Sequence, residues 1–141
     1  IQPLLQPITL GAVQLKNRVI MAPLTRCRAT NEHQAPDQKH IDYYTQRAGA
    51  GLIISEGSEV SKKARGYAFV AGIFNDAQIE GWKKVVDSVH HKGGKIFMQL
   101  WHVGRTSLPD FHDGELPWAP SAVNPDIELR NAHGEKKQTV T

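Results

Sequence analysis

The sequence predicts a parallel α/β fold, and more narrowly the first part of a larger (β/α)8 barrel. Three apolar segments suited to buried strands alternate with two segments of helical periodicity. The strands start about 33 and 44 residues apart, a spacing that indicates β-α-β units with right-handed crossovers. Three parallel strands alone leave both sheet edges open, whereas parallel sheets occur almost only inside larger layered folds. We therefore expect residues 1–141 to form one incomplete barrel domain that needs the rest of the barrel for a stable fold.

The first half of the chain supplies a hairpin, a strand and a helix. Residues 8–16 alternate loosely between apolar and polar, which predicts a short β-hairpin. The continuous apolar run 18–22 predicts the first main strand, buried on both faces. Pro36-Asp37 opens a helix, because proline suits the first turn and an acid favours the positive end of the helix dipole. Gly49 or Gly51 is expected to end this helix.

The second half continues the alternation and then loses it. Residues 51–55 predict a second buried strand, and a helix is expected to begin near Asn75-Asp76. The apolar stripe predicted for this helix is Ile79, Trp82, Val86 and Val89. The third strand is predicted at residues 95–100. Beyond Thr106, four prolines and irregular charges predict no regular element, so this tail of about 35 residues is interpreted as an excursion after the third strand.

Charge and composition argue against several partners. Lysine and arginine outnumber acids 17 to 14 and are spread along the chain, and the short basic run 62–65 is interpreted as a solvated loop, so no nucleic-acid partner is expected. Cys27 is the only cysteine in the sequence, so an internal disulfide is excluded and a location in the reducing cytoplasm is favoured. We interpret Cys27 as a small packing residue. No apolar run approaches the length of a membrane-spanning helix, and no secretory signal is evident. The missing initiator Met suggests that the gene product starts upstream of residue 1.

Familiar nucleotide and metal motifs are absent from the sequence. No strand is followed by a glycine-rich dinucleotide fingerprint, and Gly93-Gly94-Lys95 lacks the upstream glycine and the hydroxyl of a P-loop. His90-His91 is no metal pair, because adjacent helical residues point about 100° apart. We therefore expect no metal site, and look instead at the ends of the strands.

Three groups follow the predicted strands: Thr25, Glu56-Gly57 and Gln99. In a parallel barrel these ends meet on one rim, where ligands bind. A carboxamide both donates and accepts, which suits the pyrimidine edge of a flavin, while a hydroxyl donates to a carbonyl and glycine lets a backbone N–H approach closely. Threonine and glutamine also occur near strand ends for structural reasons, so the residues alone leave both interpretations open.

Resemblance to a known family adds to this picture. The motifs that carry it, in order over most of residues 3–125, are Asn17–Arg26, Arg28-Ala29, Tyr43-Tyr44, Arg47-Ala48, Ile54–Gly57, Gly66-Tyr67, Gly72-Ile73, Trp82-Lys83 and Gln99–Arg105. Together they resemble the Old Yellow Enzyme family of FMN-dependent ene-reductases, which are TIM barrels. The resemblance implies FMN as cofactor and NADPH or NADH as reductant.

The resemblance also implies roles for individual residues. The backbone of Pro23 and Leu24 would line the flavin, and the Thr25 hydroxyl would contact its O4 carbonyl. Gly57 matches a small residue whose backbone N–H faces the ring, and Gln99 would bond the pyrimidine edge.

The substrate pocket implied by the resemblance contains Thr25, Tyr67 and Trp101. The two aromatics have an alternative interpretation as ordinary core or lid residues. No catalytic residue is expected in this segment. The resemblance places the substrate-holding histidine pair, the proton-donating tyrosine, the flavin arginine and the phosphate loops downstream of Thr141.

The expected function is that of an NAD(P)H-dependent flavin oxidoreductase. By the resemblance, it reduces activated C=C bonds of enones, and also quinones or nitro compounds, by ping-pong hydride transfer through flavin N5. The segment alone is expected to be inactive. Two alternatives stay open: a flavin-free TIM-barrel enzyme of phosphorylated substrates, and a non-catalytic fragment that pairs with a complementary chain.

Overall fold

A computed structural model describes residues 2–140 of the chain. The strands are β1 Ile8–Leu10, β2 Val13–Leu15, β3 Ile20–Met21, β4 Leu52–Glu59, β5 Ile96–Trp101, β6 Glu128–Arg130 and β7 Lys136–Gln138. The helices are α1 Gln38–Thr45 and α2 Asp76–His91. Short 3-10 turns cover Pro3–Leu5, Lys62–Ala64 and Pro109–Phe111.

The central sheet has the predicted parallel topology. Its order is β3-β4-β5, with α1 connecting the first pair of strands and α2 the second. Ile20 pairs with Leu52, and Ile53 pairs with Ile96. The sequence β-α-β-α-β and its parallel sheet are therefore confirmed, as is the hairpin at residues 8–16, which appears as the antiparallel pair β1-β2.

The first main strand is shorter and more open than predicted. Of the apolar run 18–22, only Ile20 and Met21 form strand β3, and the Ile20 side chain is 45% exposed. The expectation of burial on both faces is wrong for the described residues. Both helices pack on one face of the sheet, so the other face of β3 has nothing to cover it.

Helix α1 begins where the sequence predicts and ends earlier. The Asp37 side chain accepts from the Lys39 N–H at 3.0 Å, and the Asp37 N–H donates to His40 Nδ1 at 3.1 Å, which forms a capping box. The predicted end at Gly49 or Gly51 is wrong, because the helix stops at Thr45. After that residue the backbone bonds shorten to three-residue turns, with Ala48 N–H donating to the Thr45 carbonyl.

Helix α2 begins at its predicted cap but presents a different face. The Asn75 side chain accepts from the Gln78 N–H at 2.9 Å. Trp82 and Val89 are buried as predicted, whereas Ile79 is exposed and Val86 is only half-buried. The other buried residues of this helix are Gln78, Gly81 and Val85. Gln78 turns inward because its amide donates to the His33 carbonyl and accepts from the Phe74 N–H.

The core lies between the sheet and the two helices. Its buried members are Ala29, Tyr44, Ala48, Ile53, Ala71, Trp82, Val85 and Val89. The rings of Tyr44 and Trp82 lie 5.9 Å apart and join α1 to α2. Burial of this apolar surface, at about 25 cal/mol per Å², is the main force that holds the helices on the sheet.

Strand β4 and the tail contain more regular structure than the sequence predicts. The strand continues beyond Ser55 to Glu59, so Gly57 lies inside it and not after it. The tail was expected to have no regular element, but β6 and β7 form an antiparallel hairpin. Each of these strands has three residues, too few to show an alternating pattern, and a small cluster of Leu108, Phe111 and Leu129 supports them.

Candidate functional site

Gly57 and Gln99 lie opposite each other near the carboxyl ends of β4 and β5. The parallel register pairs Gly57 with Gln99 and, two residues further, Glu59 with Trp101. Neighbouring strands lie about 4.8 Å apart, and paired residues project from the same face of the sheet. The structure thus brings two of the residues predicted to contact a cofactor onto one face.

The segment 23–25 follows β3 at the same edge of the sheet. Met21 pairs with Ile53, and Thr25 lies four residues beyond Met21 just as Gly57 lies four residues beyond Ile53. Thr25 and Leu24 are exposed, while Pro23 is half-buried. All five predicted cofactor-contact residues therefore lie at the carboxyl ends of three neighbouring strands. That a cofactor binds them stays a prediction.

Tyr67 and Trp101 form a stacked pair beside Gly57. Their ring centroids are 5.9 Å apart and their planes are inclined by 25°. A Cβ added at Gly57 would lie 2.5 Å from Trp101 Cδ2, so the indole ring packs directly on the glycine backbone. Tyr67 is exposed at this surface. The two aromatics predicted to line a substrate pocket are therefore in contact with each other and next to a predicted cofactor contact.

Glu59, which the sequence analysis missed, is a buried carboxylate opposite Trp101. Its side chain is 1% exposed, and its one ionic partner in residues 2–140 is Arg65, with Nε 3.6 Å from Oε2. Neither carboxylate oxygen has a hydrogen-bond partner in that range, nor does Trp101 Nε1. Burial raises the pKa of Glu59 to about 7, against the opposing effect of the Arg65 guanidinium. No sequence signal indicated this, because glutamate is almost never fully buried.

On the opposite face of the sheet, Glu56 is held by Tyr44. The Tyr44 hydroxyl accepts from the Glu56 N–H at 2.8 Å and donates to Glu56 Oε2 at 3.1 Å. Burial raises the pKa of the Glu56 carboxyl, although His40 and the Tyr44 hydroxyl favour its charged form. Burial and the Glu56 charge together raise the pKa of Tyr44 well above its usual range.

A cavity of about 210 Å³ opens between the segment after β3 and helix α1. Its lining residues are Arg26, Arg28, Lys39, His40, Tyr43 and Glu56. Its hydrogen bonds to Tyr44 of α1 place Glu56 on the helix side of the sheet, toward this cavity, just after the register shift between Ile54 and Gly57. The sequence analysis left both arginines out of any site. Cys27 between them is exposed, so its interpretation as a packing residue is wrong.

The polar groups on the Gly57 face fit a planar ring that presents a donor beside an acceptor. The Gln99 side chain makes no hydrogen bond within residues 2–140, although its backbone N–H is held by the Ser55 hydroxyl at 3.1 Å. Its carboxamide is therefore free to donate and accept at once. The Thr25 hydroxyl is likewise without a partner in this range and exposed. These residues can hold the pyrimidine side of a flavin.

The described part of the chain has neither a cluster of metal-ligating side chains nor a membrane-spanning helix. Across residues 2–140, no three side chains of the metal-ligating types His, Cys, Asp and Glu cluster closely enough to hold an ion. Neither helix within that range has the length and apolar character that crossing a membrane requires.

Comparison with known protein families gives one match over almost the whole chain. Residues 3–140 match the NADH:flavin oxidoreductase / NADH oxidase family. Flavin oxidoreductase hxnT of Emericella nidulans is 47% identical over 127 residues, which are 87% of this chain and 33% of that protein. 12-Oxophytodienoate reductase 1 of Oryza sativa subsp. japonica is 46% identical over 117 residues, covering 82% of this chain and 30% of the relative.

Solved structures of similar sequence share the fold. Morphinone reductase in complex with tetrahydroNAD superposes with a TM-score of 0.86 at 46% identity, over 100% of this chain and 39% of that one. The old yellow enzyme homologue from Zymomonas mobilis gives a TM-score of 0.88 at 44% identity, and the match covers 96% of this chain and 38% of that one. The chain spans about a third of the curated relatives and about two fifths of these structures. The predicted fold class, the first part of a (β/α)8 barrel, is confirmed.

Proposed function

Because this chain belongs to the NADH:flavin oxidoreductase / NADH oxidase family, we propose that the protein containing it is an FMN-dependent reductase of activated C=C bonds. NADH or NADPH would supply the electrons, and enones, quinones or nitro compounds would accept them. Two similar proteins are named as reductases of 12-oxophytodienoate and morphinone, and one solved structure holds tetrahydroNAD. These names support the class of reaction proposed for this chain.

The observation that carries the proposal is the pairing of Gly57 with Gln99 beside the end of β3. Gly57 lets the Trp101 ring pack against the β4 backbone, and the carboxamide of Gln99 opposite it offers the donor and acceptor that a pyrimidine edge requires. Sugar-phosphate enzymes on the same barrel need no such flat, polar-edged surface. A bound flavin would therefore pair with more of the polar groups on this face than a sugar phosphate would.

Each residue of this face would have a distinct task. When bound, FMN would supply the relay of hydride between nicotinamide and alkene. Gln99 would fix the ring in its plane by donating to and accepting from its edge. Thr25 would donate to a ring carbonyl, which favours negative charge on the ring and so tunes its potential. The backbone of Pro23 and Leu24 would close the adjacent side.

The aromatic pair would form one wall of the substrate pocket. Tyr67 and Trp101 are stacked, so each ring limits the movement of the other. Such a wall would orient a flat alkene and exclude water from it, and orientation contributes much of the acceleration in a two-reactant step. We assign no proton transfer to residues 1–141, and propose that this domain is completed by the remainder of the barrel.

The test uses the native polypeptide that contains this chain. The wild-type protein should be yellow, release FMN on heating, and oxidise NADH or NADPH in the presence of an α,β-unsaturated ketone. Gln99→Ala should weaken FMN binding about 10- to 100-fold, because it removes hydrogen bonds to a ring that becomes charged. Gln14→Ala, on the exposed face of β2, removes the same side chain away from the site and should bind FMN as the wild type does.

Two results would overturn the proposal in favour of the alternatives. A colourless native protein that binds sugar phosphates would indicate a flavin-free barrel enzyme. A colourless protein that forms a stable complex with a second polypeptide, and has no NADH- or NADPH-oxidising activity, would indicate a non-catalytic fragment. Equal FMN affinity in wild type, Gln99→Ala and Gln14→Ala would remove Gln99 from the site while leaving the family activity intact.

A further inference from the structure

The cavity between the segment after β3 and helix α1 is rich in positive charge. Arg26, Arg28 and Lys39 line it, against the single acid Glu56. The Arg26 guanidinium donates to the Tyr43 hydroxyl at 3.1 Å and lies 4.8 Å from the centre of that ring. The Arg28 guanidinium makes no ion pair with residues 2–140, although it lines the same space. The cavity thus holds guanidinium groups whose charge this part of the chain does not balance.

Two buried polar atoms at this cavity also lack partners. The His40 side chain is 2% exposed, and its Nδ1 lies 3.1 Å from the Asp37 backbone nitrogen and 3.0 Å from Asp37 Oδ1. Nε2 and Glu56 Oε1 are both buried and make no hydrogen bond within residues 2–140. Unpaired buried groups of this kind cost stability and are rare in native proteins. They call for an occupant that can pair with them.

The chemistry of the lining defines that occupant. We propose that this cavity is a binding site for a small oxyanion, a carboxylate or a phosphate group, held by Arg28 and Arg26 with the His40 ring beside it. Guanidinium groups pair with such oxygens through two parallel hydrogen bonds. Glu56 is the one acid among these lining residues, and burial raises the pKa of its carboxyl. At about 30 Å³ per water, the cavity has room for about seven waters, which exceeds the need of one phosphate group.

This site is separate from the proposed flavin face. Hydrogen bonds to Tyr44 hold Glu56 on the helix side of the sheet, whereas the neighbouring Gly57 packs against Trp101. The oxyanion has two candidate sources, a free ion or a carboxylate side chain from polypeptide beyond residue 141. The two sources predict different responses to added anion, so a single set of variants distinguishes them.

The experiment measures anion binding and thermal unfolding of the native polypeptide. Inorganic phosphate and acetate are added at constant ionic strength to wild type, Arg28→Gln, and Arg18→Gln. Arg18→Gln is the matched control, because it removes an exposed guanidinium that lies just before β3, whereas Arg28 follows that strand. If the source is a free ion, one anion binds per chain in the wild type and in Arg18→Gln. Arg28→Gln should then weaken this binding about tenfold or more.

If the source is an internal carboxylate, added anions have no specific effect. Arg28→Gln should then lower the unfolding temperature well below that of Arg18→Gln at pH 7. That difference should disappear as the pH falls below about 4, where carboxylates become protonated. Identical behaviour of Arg28→Gln and Arg18→Gln in both measurements would overturn the proposal. Glu56→Gln removes the one acidic side chain of the lining, so it should keep or raise the anion affinity; a loss of affinity would also contradict the assignment. Neither readout depends on flavin, so the flavin proposal stands or falls separately.

Discussion

One hydroxyl joins helix α1 to strand β4. Tyr44 is fully buried, and its oxygen pairs with both the backbone N–H and the carboxyl group of Glu56. We expect Tyr44→Phe to lower the free energy of unfolding by about 1–3 kcal/mol, because two buried groups lose their partner. Tyr43→Phe is the matched control: its hydroxyl contacts Arg26 at the exposed side of the helix, so the loss should stay near 0.5 kcal/mol. Urea denaturation of the native polypeptide that contains this chain measures both, and equal losses would refute the role given to Tyr44.

Glu59 should make stability depend on pH near neutrality. Its folded pKa of about 7 lies above the ordinary glutamate value of about 4.3, so the folded protein binds this proton more tightly than the unfolded chain. The stability contributed by this group should therefore be highest below about pH 4, fall as the pH rises from about 4 to about 7, and level off above that. Glu59→Gln should remove this dependence and be about 1–3 kcal/mol more stable than wild type at pH 8.

The exposed Glu80→Gln on α2 provides the control for Glu59→Gln. Its carboxylate contacts Lys83 at the surface, where an ion pair contributes little. Its curve of unfolding free energy against pH should run parallel to that of the wild type. If the Glu59→Gln curve also ran parallel to the wild type, the carboxyl at position 59 would titrate as an ordinary exposed acid, against the burial observed.

At the scale of the elements, Gly51 sets how closely β4 approaches the strand before it. The Gly51 N–H donates to the Val19 carbonyl at 2.9 Å, and a Cβ at this position would overlap the Asn17 carbonyl oxygen. Gly51→Ala should therefore cost about 1–3 kcal/mol or more, since backbone has to move to admit the methyl group. Gly49→Ala, where a Cβ meets nothing within 4 Å, should be close to neutral. A neutral Gly51→Ala in thermal unfolding would contradict the packing of these two strands.

The starts of the elements were predictable from the sequence because local chemistry sets them. Asp37 and Asn75 cap their helices with side chains that bond backbone within three residues. The ends depend on distant contacts instead. Strand β4 continues to Glu59 because Glu59 pairs with Trp101 of β5 on one side and with Gly72 on the other. No pattern within residues 51–55 indicates that extension.

The same distinction applies to the candidate sites. Thr25, Gly57 and Gln99 could be proposed from the sequence because each lies at or near the end of an apolar strand. The cavity at Arg28 could not, since it exists only when α1 packs its His40 side against the buried Glu56. The burial of Glu59 could not be predicted from the sequence either, because glutamate is almost always a surface residue and no local pattern indicates an exception.

At the scale of the molecule, both helices cover the same side of the sheet, and the other side is only partly covered. Both helices pack on the face that contains Ile53, and the opposite face leaves the side chains of Ile20 and Phe97 more than two fifths exposed. Contiguous apolar surface of this kind marks an interface or a liability to associate. In a (β/α)8 barrel that face is the interior, filled by side chains from the other strands.

We therefore expect residues 1–141, prepared alone, to be neither a flavoprotein nor a cooperative monomer. The segment should bind the dye ANS, form oligomers in light scattering, unfold over a broad range of urea, and be colourless, because open sheet edges and the bare interior face seek partners. The native polypeptide that contains it, treated identically, should scatter as a defined species and unfold cooperatively. A monomeric segment with a sharp transition and bound FMN would contradict this expectation. It would show that three strands and two helices suffice both to bury this apolar face and to hold the ring.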